Sequence, residues 1–325
     1  MPEQDVSPKD ATVRPMLSLV VPVHNEEGVV DIFYNRIISV LSPVTEDWEI
    51  LFVDDGSTDT TLACLAVLRA KDVRVKFISF SRNFGKEAAL TAGLHHASGR
   101  AIIPMDVDLQ DPPELIAEMV RQWREGFEVV LAIRQSRNDD TWMKRTTAKY
   151  FYKFIQKIAH TRIPENAGDF RLMDRKVVDA VNRLPERTRF MKGLLSWAGF
   201  KTTQLYFDRP ERAAGTAKQN YRKLWRLALD GIFSFTSAPL QVWTYIGFMI
   251  SLGALVYGLF IFMKTLLLGV DMPGYASLMT VMLFLGGMQL LSLGIIGEYI
   301  SRIYGETKHR PLYIIRDAGG VDEIN

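Results

Sequence analysis

The chain has 325 residues, 39 basic against 37 acidic, and a formal net charge of +2. That length allows one large domain plus an appendage, and the even balance excludes the broad positive field of a nucleic-acid-binding protein. The single cysteine, Cys64, excludes an intrachain disulfide and a cysteine metal cluster, and fits a reducing compartment.

Residues 1–15 are polar and proline-containing, without an apolar h-region, so a disordered tail is expected rather than a signal peptide. Leu17-Ser18-Leu19-Val20-Val21-Pro22-Val23 reads as a buried strand, and His24-Asn25-Glu26-Glu27 at its end is expected to open a helix through about Leu41. Glu49 to Val53 reads as a second strand. It runs into Asp54-Asp55-Gly56-Ser57-Thr58-Asp59, a turn in which Ser57 or Thr58 suits the cap of the next helix. Arg74 to Phe80 is a third strand, followed by Arg82-Asn83-Phe84-Gly85-Lys86 and a helix from Glu87 to Ala97. His95-His96 on that helix reads as surface. A fourth strand starts at Ala101, a helix follows Pro112-Pro113, and a fifth strand, Val129 to Ile133, ends at Arg134.

Alternating strands and helices predict a mainly parallel sheet covered by helices, with ligands at the carboxyl ends of the strands. Polar residues gather at those ends: Glu26, Asp54, Asp55, Arg82, Asn83, Asp106, Asp108 and Arg134. No G-x-G-x-x-G follows the first strand and no G-x-x-x-x-G-K-S/T occurs, so phosphate is left to a metal and basic side chains.

The fourth strand runs directly into Asp106-Val107-Asp108-Leu109-Gln110. In extended backbone Asp106, Asp108 and Gln110 share one face. Two like charges that close repel unless a cation sits between them. Mg²⁺ or Mn²⁺ accepts such oxygen ligands and carries substrate phosphates on its open positions. An ordinary acidic loop has the same spelling.

Thr141 to His160 repeats Lys149, Lys153 and Lys157 against Tyr150, Phe154 and Ile158, an amphipathic helix with a basic and an aromatic face. Lys218 to Phe235 has the same mixture. Leu240 to Leu268 holds one charge, Lys264, and Tyr275 to Gly297 holds none, so each is long enough to cross a bilayer. The short link between them predicts a hairpin. Arg222, Lys223 and Arg226 before it, and Arg302, Lys308 and Arg310 after it, predict cytoplasmic termini and the strand–helix domain on the cytoplasmic side. Gly247, Ser251, Ala254 and Gly258 form a stripe of small residues that predicts close helix contact, in a homo-oligomer or within a tight hairpin. The expected divisions are a disordered tail at 1–15, the strand–helix domain at 16–210, an amphipathic juxtamembrane segment at 211–238, two membrane helices at 239–297 and a cytoplasmic tail at 298–325.

Taken in order, Val21-Pro22-Val23-His24-Asn25-Glu26-Glu27, Val53-Asp54-Asp55-Gly56-Ser57, Arg82-Asn83-Phe84-Gly85, the Asp106 to Gln110 run, Gly168-Asp169-Phe170-Arg171-Leu172, and Arg212 with Gly215 and Lys218 resemble the inverting family-2 glycosyltransferases of GT-A fold. The hairpin, Gly297-Glu298-Tyr299 and Arg310-Pro311 resemble the polyisoprenyl-phosphate branch, with its bactoprenol glucosyltransferases and dolichol-phosphate mannose synthases. The resemblance implies hexose transfer, glucose foremost, from a UDP-sugar to a polyprenyl phosphate at an inner membrane. Other sugars (formamido-arabinose, galactose, N-acetylhexosamine, mannose) and a non-catalytic membrane scaffold are the rival readings. A processive synthase would need Q-x-x-R-W, and Gln122-Trp123-Arg124 lacks that spacing.

The resemblance further implies that Pro22, His24 and Glu26 frame the nucleotide, and that Asp54 or Asp55 accepts from the base. Asp106, Asp108 and Gln110 would hold the cation, with Asp106 also at the nucleotide sugar. Arg134, Arg212 and Lys218 would receive phosphate. Asp169 stands where related transferases keep a base, either taking a proton or orienting Arg171 or the acceptor.

Overall fold

The structure is a computed structural model that describes residues 15–134, 167–186, 191–207, 238–268 and 274–321. The expected amphipathic helix at 141–160, the segment at 218–235, and Arg212 and Lys218 lie outside the described residues. The described residues fall into two compact units, one holding those up to 207 together with 310–321, the other those from 238 to 309.

The first unit is built on apolar runs that suit strands covered on both faces. β1 (Leu17–Val23) is buried except at Pro22, and β2 (Trp48–Asp54) is buried throughout. β3 (Val75–Phe80), β4 (Ala101–Pro104) and β5 (Val129–Arg134) follow, separated by helices α1 (Val30–Leu41), α2 (Thr61–Lys71), α3 (Lys86–His96) and α4 (Leu115–Arg124). α1 buries Val30, Phe33, Ile37 and Leu41, a stripe at helical spacing, and Phe33 meets Phe52 of β2 edge-on at 6.0 Å.

Three strands, β6 (Ala167–Asp174), β7 (Thr202–Phe207) and β8 (Ile315–Gly319), complete an eight-stranded sheet with order β7-β5-β6-β4-β1-β2-β3-β8. α5 (Arg175–Asn182) and α6 (Met191–Trp197) lie between β6 and β7 in the chain. β1, β2, β3 and β4 pair in parallel, as do β5 and β7, while β6 runs antiparallel between β4 and β5. Counting outward from β1, the chain winds one way through β2 and β3 and the other way to β4. The β1–β4 junction is therefore the switch point at which α/β sheets open a ligand crevice.

At the opposite, amino-terminal end of the strands a polar lock is buried. Glu49 is 2% exposed and pairs with Lys76 Nζ at 2.6 Å. Its carboxylate accepts from Ser18 Oγ at 2.5 Å, and from Ser98 N and Oγ at 2.7 Å each. Burial would raise its pKa, but the bonds from Lys76, Ser18 and Ser98 outweigh burial and hold it below the ordinary value.

The second unit holds α7 (Ala238–Leu268) and α8 (Tyr275–Thr307). Val242–Phe260 and Phe284–Thr307 are long and apolar enough to cross a membrane, with mean hydropathies of 1.6 and 1.2, and neither is buried within the chain. α8 thus extends ten residues past the expected Gly297, and β8 occupies part of what reads as a tail. Among the described residues a Cβ at Gly247 or Gly258 would meet nothing within 4 Å.

Two local expectations fail. The 24–27 run does not open α1, which begins at Val30, because Asn25 is left-handed at φ 55°. Ser57 and Thr58 do not cap α2; Ser57 Oγ accepts from Asn25 N at 2.9 Å, and Thr58 N donates to Asn25 Oδ1 at 2.8 Å. The N-cap of α2 is Thr60, which makes no side-chain cap bond, and Asp59 before it accepts from Thr61 N at 3.0 Å.

Candidate active site

The rim is assembled from loops that bond to one another across the switch point. Gly56 (φ 64°) packs so close to the Arg82 backbone that any Cβ there would collide with it. That contact fixes the loop after β2 against the loop after β3.

Asp54 is fully buried and spent on structure, accepting from Ser57 N at 3.0 Å and from Ser79 Oγ at 2.7 Å. Asp55, 5% exposed, accepts from Phe84 N at 2.6 Å and from Gly85 N at 2.9 Å. Burial pushes its pKa up, against the pull of those two amides. Its neighbour His24 keeps Nδ1 buried without a hydrogen-bond partner. Glu26 N donates to Thr61 Oγ1 at 2.9 Å, and Pro22 is the one residue of β1 not fully buried. Of the two carboxylates expected near a base, only Asp55 borders the loop of β3.

The DxD stretch is not extended. β4 ends at Pro104, Asp106 follows in loop, and a turn over Val107 and Asp108 leads to Leu109, left-handed at φ 54°. The shared face inferred from strand alternation is therefore replaced by loop geometry. Asp108 Oδ1 accepts from Gln110 N at 3.1 Å, which closes the turn. Gln110 is 6% exposed, and its Oε1 has no hydrogen-bond partner. Two partly exposed carboxylates and an orphaned amide oxygen are an oxygen-only donor set, and that set fits a hard cation. Among the described residues no group of three or more His, Cys, Asp or Glu side chains forms a metal cluster, so Gln110 and substrate oxygens would have to complete the sphere.

Asp169 projects from β6, on the face shared with Arg171 and Met173 by strand alternation, while Phe170 and Leu172 enter the core. A small cavity beside Asp169 and Arg171 is lined by Leu90 and Leu94 of α3 and by Met173 and Met191. Lys86, the first residue of α3, bridges the two halves of the rim. Its Nζ lies 2.6 Å from Asp106 Oδ1 and 2.9 Å from Asp169 Oδ2. Burial alone would lower its pKa; the carboxylates of Asp106 and Asp169 outweigh that and raise it above the ordinary lysine value. Sequence reading gave Lys86 no role. Its only signal was a cation directly after Gly85, at the start of a helix that opens on the acidic rim.

Arg171 is 3% exposed and lies inside rather than on the rim, with Nη2 donating to Gly168 O at 2.6 Å. Burial lowers its pKa, partly offset by Asp169 and Glu87. Arg134, at the carboxyl end of β5, stands 3.6 Å from Asp111 Oδ1, and its guanidinium borders Gly168. The structure thus gathers Asp106, Asp169, Lys86, Arg134 and Asp111 around the ends of β4, β5 and β6.

Residues 18–181 match glycosyl transferase family 2, and residues 238–303 match the GtrB C-terminal hairpin. An uncharacterized glycosyltransferase of Synechocystis sp. is 55% identical over 308 residues, covering 95% of this chain and 97% of its own. A bactoprenol glucosyl transferase of Shigella phage SfV is 50% identical over 301 residues, covering 93% of this chain and 98% of its own. A mannosyltransferase from Pyrobaculum calidifontis, solved in complex with GDP-Man and Mn²⁺, has a TM-score of 0.46 at 18% identity, over 67% of this chain and 61% of that chain.

Proposed function

Since the chain belongs to glycosyl transferase family 2 and carries the GtrB hairpin, we propose that this glycosyltransferase moves a hexose, glucose first, from a UDP-sugar to a polyprenyl phosphate. The hairpin anchors it where that acceptor lives, and the basic flanks of the hairpin favour a catalytic domain on the cytoplasmic face. Relatives named for bactoprenol glucosylation, similar over nearly the whole chain, support the substrate class.

A lipid phosphate oxygen attacks the anomeric carbon from the face opposite the leaving group. The bond from that carbon to the diphosphate oxygen breaks, its electron pair leaves with UDP, and configuration inverts. Asp106, Asp108 and Gln110 would hold Mg²⁺ or Mn²⁺, which supplies charge neutralisation to the leaving diphosphate. Asp55 and His24 border the nucleotide side. Lys86 keeps the Asp106 and Asp169 carboxylates from repelling each other and presents positive charge where the leaving group becomes more negative. Arg134, with Arg212 and Lys218, receives phosphate. A phosphate monoester with a second pKa near ~6 is mostly dianionic at neutral pH, so the acceptor needs no base and Asp169 acts as an orienting group.

The observation that supports this best is the Lys86 bridge, which joins the donor-side Asp106 to Asp169 at the switch point. The test incubates membranes holding the full chain with labelled UDP-glucose, divalent cation and polyprenyl phosphate. Label in the lipid fraction that depends on the acceptor is expected. No acceptor-dependent label from UDP-glucose, with label from another sugar nucleotide, would replace the donor; none from any donor would sink the proposal.

A further inference from the structure

Arg310-Pro311 and the residues after them have no part in the mechanism above, yet the chain returns there to the catalytic sheet. β8 closes the free edge of β3 in antiparallel register, with Phe77 opposite Gly319 and Ser79 opposite Asp317. The pairing continues past the strand, Ser81 N donating to Ile314 O at 2.9 Å. Just before β8, the Tyr313 ring stacks on Phe80 with centroids 5.0 Å apart and planes 13° from parallel. Phe80 is fully buried and meets Phe84 edge-on at 5.8 Å. Phe84 and Gly85 are the residues whose amides hold Asp55, and Lys86 follows them. An aromatic stack therefore runs from the segment after the hairpin to the loop that organises the donor side. Gly85 (φ 99°, ψ 158°) holds a backbone shape that other residues rarely adopt, so that loop depends on its packing.

We propose that Tyr313 is a positioning residue for the donor site: through Phe80 and Phe84 it sets the loop whose amides hold Asp55. The segment returning from the membrane hairpin is thereby part of the donor site's framework. The proposal rests on the reading that the nucleotide of the donor lies at Asp55. It predicts a loss in donor binding rather than in the chemical step, because the path from the ring through Phe80 and Phe84 ends at the amides that hold Asp55.

The experiment uses the full chain in lipid nanodiscs with Tyr313→Ala, Tyr313→Leu and Tyr313→Phe. Tyr313→Ala is expected to raise the KM for UDP-glucose about tenfold, the factor corresponding to about 1.4 kcal/mol. Its kcat at saturating donor and its KM for polyprenyl phosphate should stay within twofold. Tyr313→Leu should fall between, and Tyr313→Phe, which keeps the stack, should match wild type. Hydrogen exchange is read in parallel without any substrate, on the peptide containing the Phe84 and Gly85 amides. Faster exchange there in Tyr313→Ala and Tyr313→Leu, restored in Tyr313→Phe, supports the proposal even if wild type accepts a different sugar nucleotide. Unchanged exchange at that peptide, or a fall in kcat and thermal stability with the donor KM unmoved, would overturn it.

Discussion

Replacing Lys86 with methionine removes one charge and keeps the length of the stem. The ammonium it removes stands 2.6 Å from Asp106 and 2.9 Å from Asp169, with side-chain exposures of 45%, 39% and 20% for the three residues. Ion pairs this open to water stabilise a fold by about 0–1 kcal/mol each, so unfolding should lose at most about 2 kcal/mol. For a domain of this size that lowers Tm by less than about 10 °C. The effect on catalysis should be far larger. One preorganised donor facing the charge that develops in a transition state is worth about 10²–10³ in kcat, and without it the two carboxylates are left facing each other. The assay is lipid transfer at saturating donor and acceptor, with a melting curve on the same preparation and Lys86→Arg as the charge-keeping control. A kcat for Lys86→Met within threefold of wild type would refute the reasoning. So would an equal loss in Lys86→Arg accompanied by a collapse of Tm, because the lysine would then be a structural strut.

Asp106→Asn and Asp108→Asn should each abolish most transfer while leaving Tm within a few degrees, and EDTA should do the same to wild type; full activity in either case would remove the cation from the mechanism. Asp169→Asn should slow transfer yet keep the acidic limb of the pH–rate profile, since the acceptor phosphate titrates near ~6; loss of that limb would make Asp169 the base. Glu49 has a folded-state pKa below its ordinary value of 4.5, so its contribution is complete above 4.5 and is lost as pH falls through the lower folded value. Glu49→Gln should therefore cost about 3 kcal/mol in urea unfolding at neutral pH and much less at the acid end, and an equal cost at both would discard the buried lock. Gly247→Leu with Gly258→Leu should weaken any self-association in detergent, measured by light scattering, because a Cβ at either site meets nothing within 4 Å among the described residues; an unchanged assembly would mean the stripe is not an interface.

Much of the sheet was legible because β1 to β5 are apolar runs long enough to be buried on both sides. β6 was not. Its spelling, Ala167-Gly168-Asp169-Phe170-Arg171-Leu172-Met173-Asp174, alternates functional and core residues, and an arginine at 3% exposure defeats a hydropathy reading. β8 was hidden for another reason. Ile315-Arg316-Asp317-Ala318-Gly319 is polar and mostly exposed, and backbone pairing with β3 is what makes it a strand. The site was legible as a set of loops rather than as a geometry. Two carboxylates after a strand single out Asp106 as a candidate, but the left-handed Leu109 voids the alternation argument that links it to Asp108 and Gln110. The doubt between Asp54 and Asp55 could only be narrowed by burial and bonding, which spend Asp54 on Ser57 and Ser79. Lys86 needed the third dimension, because its two partners lie 20 and 83 residues away in the chain.

The strand that covers the edge of β3 is made after the two apolar helices, so the order of synthesis bears on how the sheet is finished. While α7 and α8 are leaving the ribosome, β3 presents a row of unpaired amides and carbonyls, the kind of edge that templates aggregation. Entry of the hairpin into lipid would hold neighbouring chains apart during that interval. The same order warns against trimming the protein after Phe207 to obtain a water-soluble enzyme, since the cut discards β8 with the anchor. A soluble form that preserves the sheet would bypass the anchor with a flexible linker and rejoin the chain at Arg310.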